Sequence, residues 1–588
     1  MKRILNIATC IGLILMTGSC NDFLDRFPTD EVGSNTVFSS ADLAESAVVG
    51  AYSAILYDYV SSDLARRNWD VFAGILDTTY SNFYQYYIFL NGTIQPNNGL
   101  FSTYWKRLYE GVNRANDVIN NIGDVNDLPE AVRAQRIAEC KFLRAYNYYK
   151  LNALWGGVPW YPSNMAPVEY TKARETQDAI WEKIVQDLTD CIECESLPNK
   201  NGSGSADFGR VTKGAAYALR GKVYMWQKKW SEAEKDLKAV ATMGYGLLQA
   251  PYADLFTLKN ETCDEMIFSA RMVELSGSGN TFSRNYGNFT TAGNGYTAYS
   301  MSTHVVDSYQ NSDGSEFKWS DFFPNWDNMS PEARSVYFLR DGLTPDEKAA
   351  MSAYGADMSQ YLDSGNEARI MAAYASRDPR LAATVITPYS TYKGGCTGKA
   401  ETYTRRFPFR AEQSPQFDVR TNTNSNFNYC LRKFVTVGMD YTNPTYNPVD
   451  VPIIRYAQVL LDLAEAINEQ GRTSDAVQYI NQVRTRAGMP GYNSGPAHLQ
   501  VSSKEDLRAR IILERRWELA GEEVIYYDEL RQGTWKDFRF AKGNGNVEPW
   551  GTTVYDTLWG GNEYMLWAIP SKEVEMNRNL VQNEGWRG

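Results

Sequence analysis

Two helix pairs written in one register constrain this chain more than any other feature. From Val211 to Val240, Ala215, Ala218, Leu219 and Val223 recur at helical spacing. Ser231 with Glu234 then reads as a capping box, opening a second helix that carries Ala233, Leu237 and Val240. From Tyr456 to Val483 the pattern returns, with Ser474, Ala476, Ile480 and Val483 standing where Ser231, Ala233, Leu237 and Val240 stood. A small residue at a close crossing, followed one turn later by a large apolar one, is what tetratricopeptide-type hairpins require. Any antiparallel helix pair could meet that need once, but two copies in one register favour a repeat. Their distance in sequence argues against a plain solenoid. Arg133 to Leu151 adds a further amphipathic helix, with Ile137, Phe142, Ala145, Tyr146 and Tyr149 on its apolar side and Gly156, Gly157 and Pro159 stopping it.

Three stretches break the helical period. Thr78 to Phe101 carries Tyr80, Phe83, Tyr84, Tyr86, Tyr87 and Phe89 beside Asn91, Asn97 and Asn98. Ser276 to Trp326 is rich in Gly, Ser, Asn and Thr and includes Tyr286, Tyr296, Tyr299, Trp319 and Trp326; Thr391 to Asn447 is similar. Long irregular stretches inside a folded protein are usually functional or disordered. Their aromatic density argues against disorder. The chain holds 39 Tyr and 15 Trp against 24 Phe, so most of its rings have an apolar body and a polar handle suited to half-wet surfaces.

The first residues read as an address. Lys2 and Arg3 precede an apolar stretch, Ile4 to Met16, too short to span a bilayer and fitting a signal-peptide core. Thr17-Gly18-Ser19-Cys20 follows, small residues before a Cys as in a bacterial lipobox, so residues 1–19 read as a signal and Cys20 as the lipidated first residue of the mature chain. No other segment is apolar enough to span. Among the eight cysteines, Cys191 and Cys194 form a C-x-x-C, but no second pair or nearby His completes a zinc site and no strand precedes it as in redox motifs. They read as structural, with a disulfide between them left open.

Other chemistry is thin. A formal charge of −11 gives no reason to bind phosphate backbones. With only His304 and His498, a His-built metal site is nearly excluded, and neither a metal nor another cofactor is expected. Glycoside hydrolysis needs two carboxyls flanking a bond, and with 70 acidic residues, pairs such as Glu522 and Glu523, or Asp321 and Asp327, arise freely without one standing out.

Motifs spread along the chain carry a resemblance. They are Cys20-Asn21-Asp22-Phe23-Leu24-Asp25 with Pro28, Trp105 to Ile119 (WKRLYEGVNRANDVI), Arg144-Ala145-Tyr146, Gly156-Gly157-Val158-Pro159 and Arg377-Asp378-Pro379-Arg380. Pro452 to Ala466 (PIIRYAQVLLDLAEA), Glu514 to Leu530 (ERRWELAGEEVIYYDEL), Ile569-Pro570 and Gln582-Asn583-Glu584-Gly585 complete the set. In this order they resemble the SusD/RagB family of outer-membrane glycan-binding lipoproteins. The family's usual Phe-Glu-Gly is here Ala520-Gly521-Glu522, and Val524 occupies a position that is basic elsewhere, departures that touch the scaffold more than the site.

The resemblance implies a mostly α single domain: a tetratricopeptide-like helix-pair scaffold over about 40–270 and 450–535, a loop-rich variable half over about 271–450, and a C-terminal segment over 536–588. It also implies a non-enzymatic binder and a SusC-like TonB-dependent transporter as partner. The oligosaccharide-binding reading rests on rings that stack on sugar C–H faces and on polar side chains that meet hydroxyls. A pure interaction scaffold, or peptide binding, is the alternative. The site is expected between Thr78 to Phe101 and Ser276 to Trp326. Trp69, Tyr84, Tyr86, Tyr296, Trp319 and Trp326 are its expected stacking platforms, and Asp77, Asn97 and Asn98 its hydroxyl partners. For Trp69 a core role competes, since Val71, Phe72 and Ile75 follow at helical spacing.

Overall fold

Apolar spacing becomes helix much as expected. The computed structural model describes residues 34–60, 69–79, 84–288, 295–394, 401–409, 417–418, 426–436, 443 and 445–587. Six long helices come first: α1 (Ala41–Val60), α2 (Gly99–Asn121), α3 (Glu130–Trp155), α4 (Gln177–Glu193), α5 (Lys213–Trp226) and α6 (Trp230–Ala241). After a long insertion come α7 (Tyr456–Glu469), α8 (Thr473–Arg486), α9 (Lys504–Glu518) and α10 (Ile525–Gln532). The strands are short: β1 (Leu76–Thr78), β2 (Met266–Ala270), β3 (Tyr299–Met301), β4 (Thr391–Gly394), β5 (Glu401–Thr404), β6 (Phe417–Asp418), β7 (Val451–Arg455), β8 (Asn546–Val547) and β9 (Thr553–Tyr555).

Successive helices from α1 to α6 pack on one another, and α6 packs directly on α7. The helix array broken in sequence is therefore continuous in space, and the insertion departs from one side of a single row. Leu237, Val240, Ile480 and Val483 are fully buried at these crossings, each contributing roughly 1.5–3 kcal/mol of burial. Close approach is built in by missing side chains. A Cβ on Gly221 of α5 would lie 2.9 Å from Leu237 Cγ, and one on Gly111 of α2 would lie 2.6 Å from Asn147.

Side chains close several helix ends. Thr212 accepts the Ala215 N–H at 3.2 Å to open α5, and Thr176 does the same for Ala179 in α4. The capping box expected at Ser231 does not form. Helix α6 starts one residue earlier, at Trp230, and no side chain caps it. Glu234 is drawn instead across the row, accepting from Gln470 at 2.8 Å and pairing with Arg472 in the turn before α8. Cys191 and Cys194 are separate thiols, directed at the backbone carbonyls of Ala138 and Ala134 on α3.

The insertion leaves and rejoins the row through one ladder, β2 antiparallel to β7, with Ala270 opposite Val451 and Met266 opposite Arg455. Beyond it the chain has a second apolar cluster of its own, built on Trp319, Phe323, Trp326, Tyr337, Phe338 and Trp550. A buried charge cage ties the insertion to the row. Arg380 bonds Asp378 at 2.7 Å, Glu514 at 2.6 Å and Glu518 at 3.0 Å; Arg455 reaches Glu265 at 2.8 Å and Glu518 at 2.6 Å. Glu522, one of the acid pairs noted in the sequence, is held here by Arg455 and Lys433 at 2.6 Å each. Among the described residues, no helix is long and apolar enough to cross a membrane.

Candidate functional site

Three segments distant in sequence meet at one seam. Strand β1 runs antiparallel to β3, with Asp77 opposite Ser300 and Thr78 opposite Tyr299, and the ladder continues as the Thr79 N–H donates to the Ala298 carbonyl at 3.1 Å. The β8–β9 hairpin closes on the same edge. Asn546 Nδ2 donates to the Thr78 carbonyl at 2.8 Å, and the Tyr555 hydroxyl lies 2.8 Å from Thr78 Oγ1. The segments Thr78 to Phe101 and Ser276 to Trp326 are therefore neighbours, joined by the β8–β9 hairpin.

Beside the seam lies a cavity of about 150 Å³, lined by Thr303, His304, Asp307, Trp319, Trp326 and Trp550 among others. Asp307 Oδ1, His304 Nδ1 and Trp319 Nε1 are shielded from water and no well-formed hydrogen bond reaches them, although the Trp319 indole N–H stands near enough to act on the Asp307 carboxyl. Buried polar atoms are normally satisfied, and leaving one unsatisfied costs about 1–3 kcal/mol. Desolvation pushes the Asp307 carboxyl up to about 6, against the Arg377 guanidinium and the nearby Trp319 indole N–H. Burial, with Arg516 and Arg539 adding like-charge repulsion, keeps the His304 imidazole well below its usual range and hence neutral. Arg334 lies over the Trp326 ring, 5.1 Å from its centroid, and donates to the Trp326 carbonyl at 2.9 Å. One acceptor, two ring nitrogens and indole edges can hold an uncharged polyhydroxylated ring. Asp307 is the only carboxyl side chain in that lining, whereas glycoside hydrolysis takes two.

The expected residues fall into distinct places. Tyr296 stands on the surface, 40% exposed, with the Arg284 guanidinium 4.6 Å from its ring centroid. Trp319 and Trp326 are not open platforms: they are 8% and 5% exposed and stack on each other at 4.9 Å within the second apolar cluster, facing the cavity only in part. Trp69 belongs to the main core, 2% exposed and stacked on Tyr526 at 5.6 Å, so it cannot meet a ligand without opening that core. Tyr86 is likewise buried, edge-on to Phe72 at 5.5 Å. Asp77 is buried and paired with Arg539 at 3.2 Å, which removes it as a hydroxyl partner. Asn98 caps α2 by accepting the Leu100 N–H at 2.8 Å, while Asn97 is exposed. Tyr84 begins the short helix Tyr84–Leu90, its side chain outside the described residues, as Cys20 is altogether.

Sequence reasoning missed His304, Asp307 and Trp550 in the cavity and Tyr87 beside the seam, where Tyr87 is 38% exposed and edge-on to Tyr555 at 6.1 Å. Trp550 was within reach: it stands among Gly543, Gly545 and Gly551, the same ring-in-glycine pattern that singled out Ser276 to Trp326. Asp307 carried no signal, because only folding shields its carboxylate oxygen from water. Among the described residues, no group of His, Cys, Asp and Glu could hold a metal ion.

Residues 264–586 match the profile of the SusD family, and residues 22–225 match one described as starch-binding, associating with the outer membrane. A SusD-like protein of Formosa agariphila is 25% identical over 612 residues, spanning 100% of both chains. The starch-binding protein SusD of Bacteroides thetaiotaomicron is 24% identical over 487 residues, covering 78% of this chain and 74% of that one. Among solved structures, a SusD-like protein of Bacteroides fragilis superposes with a TM-score of 0.71 at 20% identity, over 95% of this chain and 100% of the other. A laminarin-binding SusD-like protein superposes at 0.61 with 21% identity, over 93% and 100%.

Proposed function

This chain belongs to the SusD family, and from that premise we propose that it is a cell-surface lipoprotein that binds a neutral oligosaccharide and passes it to a TonB-dependent transporter. The observation that carries the reading is the cavity beside the β1–β3 seam, with its indole edges, its buried Asp307, His304 and Trp319 polar atoms and its single carboxyl. Rings of that kind stack on sugar C–H faces, and a carboxylate beside an N–H donor answers the two roles of a hydroxyl. Tyr296, which precedes β3, and Tyr87, edge-on to Tyr555, are exposed rings along the same seam. Relatives described as binding starch and laminarin support a glycan as ligand. They do not choose between glycans, since at this identity the likeness to solved structures concerns the fold.

Calorimetric titration of residues 20–588 against a panel of neutral oligosaccharides, including maltohexaose and laminarihexaose, tests the reading. Saturable binding of at least one, with no fragments released on prolonged incubation, is the expected result. Release of shorter fragments by the pure chain would make it a hydrolase, and failure of every saccharide to bind would leave the interaction-scaffold alternative.

A further inference from the structure

A second aromatic pocket lies on the helix row itself and shares no lining residue with the cavity beside the seam. It has a volume of about 260 Å³ and is formed where α2, the loop after α3 and the short helix Ser571–Met576 converge. Two tilted ring pairs line it, Tyr109 and Tyr170 partly exposed and Trp105 and Tyr161 buried behind them. Trp105 and Tyr109, one turn apart on α2, have centroids 5.1 Å apart, and Tyr161 and Tyr170 from the loop have centroids 4.9 Å apart. Their polar ends are already placed. Tyr109 donates to the Pro159 carbonyl at 2.8 Å, and the Tyr170 hydroxyl accepts the Met165 N–H at 3.2 Å.

The polar groups between the rings are of both kinds. Glu573 is half-buried, and no cation pairs with it among the described residues; burial raises its carboxyl above the usual range, with the Trp105 indole pulling the other way. Lys106 stands exposed at the rim, its Nζ 3.9 Å from Glu110. Lys172 and Arg174, the neighbouring cations, are engaged by backbone: Lys172 donates to the Trp160 carbonyl at 3.2 Å and Arg174 to that of Trp155 at 2.7 Å. An anion would find Glu573 and Glu110, and Lys106 in the lining sets a positive charge against an organic cation. A neutral ring with hydroxyls matches a lining that sets Lys106, Asn113 and Asn577 as donors and Glu110 and Glu573 as acceptors among aromatic rings.

We propose that this pocket is a second saccharide subsite, taking a neutral pyranose ring and independent of the seam cavity. The proposal rests on the glycan-binding reading and adds to it a second binding event on the scaffold, where helix packing fixes the rings. The test is titration of the same oligosaccharide panel, with the stoichiometry measured by calorimetry and native mass spectrometry. The variants are Tyr170→Ala, the conservative Glu573→Gln and, for the first site, Tyr296→Ala. Two events per chain are expected, with Tyr170→Ala and Glu573→Gln each weakening one of them at least tenfold while the other and the melting temperature stay unchanged. A single event weakened by Tyr296→Ala and untouched by Tyr170→Ala and Glu573→Gln would overturn this subsite and leave the first reading standing. Two events that ignore Tyr170→Ala and Glu573→Gln would overturn it as well. Binding of choline or arginine at this pocket in place of any saccharide would assign it to organic cations, and absence of all saccharide binding would overturn both readings.

Discussion

Tyr296 and Trp319 are both aromatic and both lie in the same irregular stretch, yet they answer to different forces. Tyr296 is exposed and touches Arg284, so Tyr296→Ala should lower glycan affinity about tenfold or more while leaving the melting temperature nearly unchanged. Trp319 is packed against Trp326 and Phe338, so Trp319→Ala leaves a void costing roughly 3–5 kcal/mol and should lower both affinity and melting temperature. Calorimetry beside thermal melts separates the two, and a Trp319→Ala variant of full stability would show that the ring is not part of the second core. Asp307 adds a pH signature. Its carboxyl titrates near 6, so as the pH falls through that value it gains a proton and loses its strength as a hydroxyl acceptor. Affinity should therefore drop below about pH 6 in the wild type and run flat in Asp307→Asn. Unfolding does not explain such a drop: because burial raises this pKa above its unfolded value of 3.8, protonation on the acid side favours the folded state. The sequence could mark Tyr296 and Trp319 as rings in a loop, but not which would be buried, because that depends on Tyr337, Phe338 and Trp550 arriving from elsewhere.

At the level of elements, the helices were the legible part. The period of Ala215, Leu219 and Val223, and the shared register of Ala233 and Ala476, survive folding because they record faces that must be buried. The capping box at Ser231 failed for the opposite reason: Glu234 had a stronger partner, Arg472, in an element that no local pattern could supply. The motif Arg377-Asp378-Pro379-Arg380 and the run Glu514 to Glu518 stood out as pieces of a resemblance; folded, they are two walls of one charge cage. Removing one partner from a buried network leaves an uncompensated charge, typically a loss of 3–5 kcal/mol. Arg455→Met leaves Glu265, Glu518 and Glu522 without their shared cation and should cost about that much in urea unfolding, far more than Lys106→Met at the surface. Desolvation raises the Glu518 carboxyl, but Arg486, Arg455 and Arg380 outweigh it and hold it at about 2, below its unfolded value of 4.5. Its contribution is thus present above about pH 4.5 and is lost as the pH falls toward 2. Acid unfolding should set in over that window, and a cage variant should shift the onset upward; an unchanged acid midpoint in Arg455→Met would remove the cage from the acid response.

For the whole molecule, the decisive relation is between a fixed helix row and an insertion that enters and leaves it through the β2–β7 ladder. The row was readable because its pattern is periodic. The seam was readable only as two suspect segments, since long-range pairings such as Thr78 with Tyr299 have no local trace. Cys20, the expected lipidation site, is not among the residues placed at the seam and in its cavity, which lie between Leu76 and Tyr555. Cys20→Ala should move the chain from the membrane pellet to the soluble fraction while its glycan affinity, measured on the purified variant, stays that of the wild type. On the function proposed above, capture of a large barrel protein with the tagged chain should also weaken, because two proteins held on one membrane surface bind at a high effective concentration, which a released chain loses. A Cys20→Ala chain that still pellets with membranes would refute the lipid anchor. One that is released yet captures the barrel undiminished would show that protein contacts alone hold the complex together.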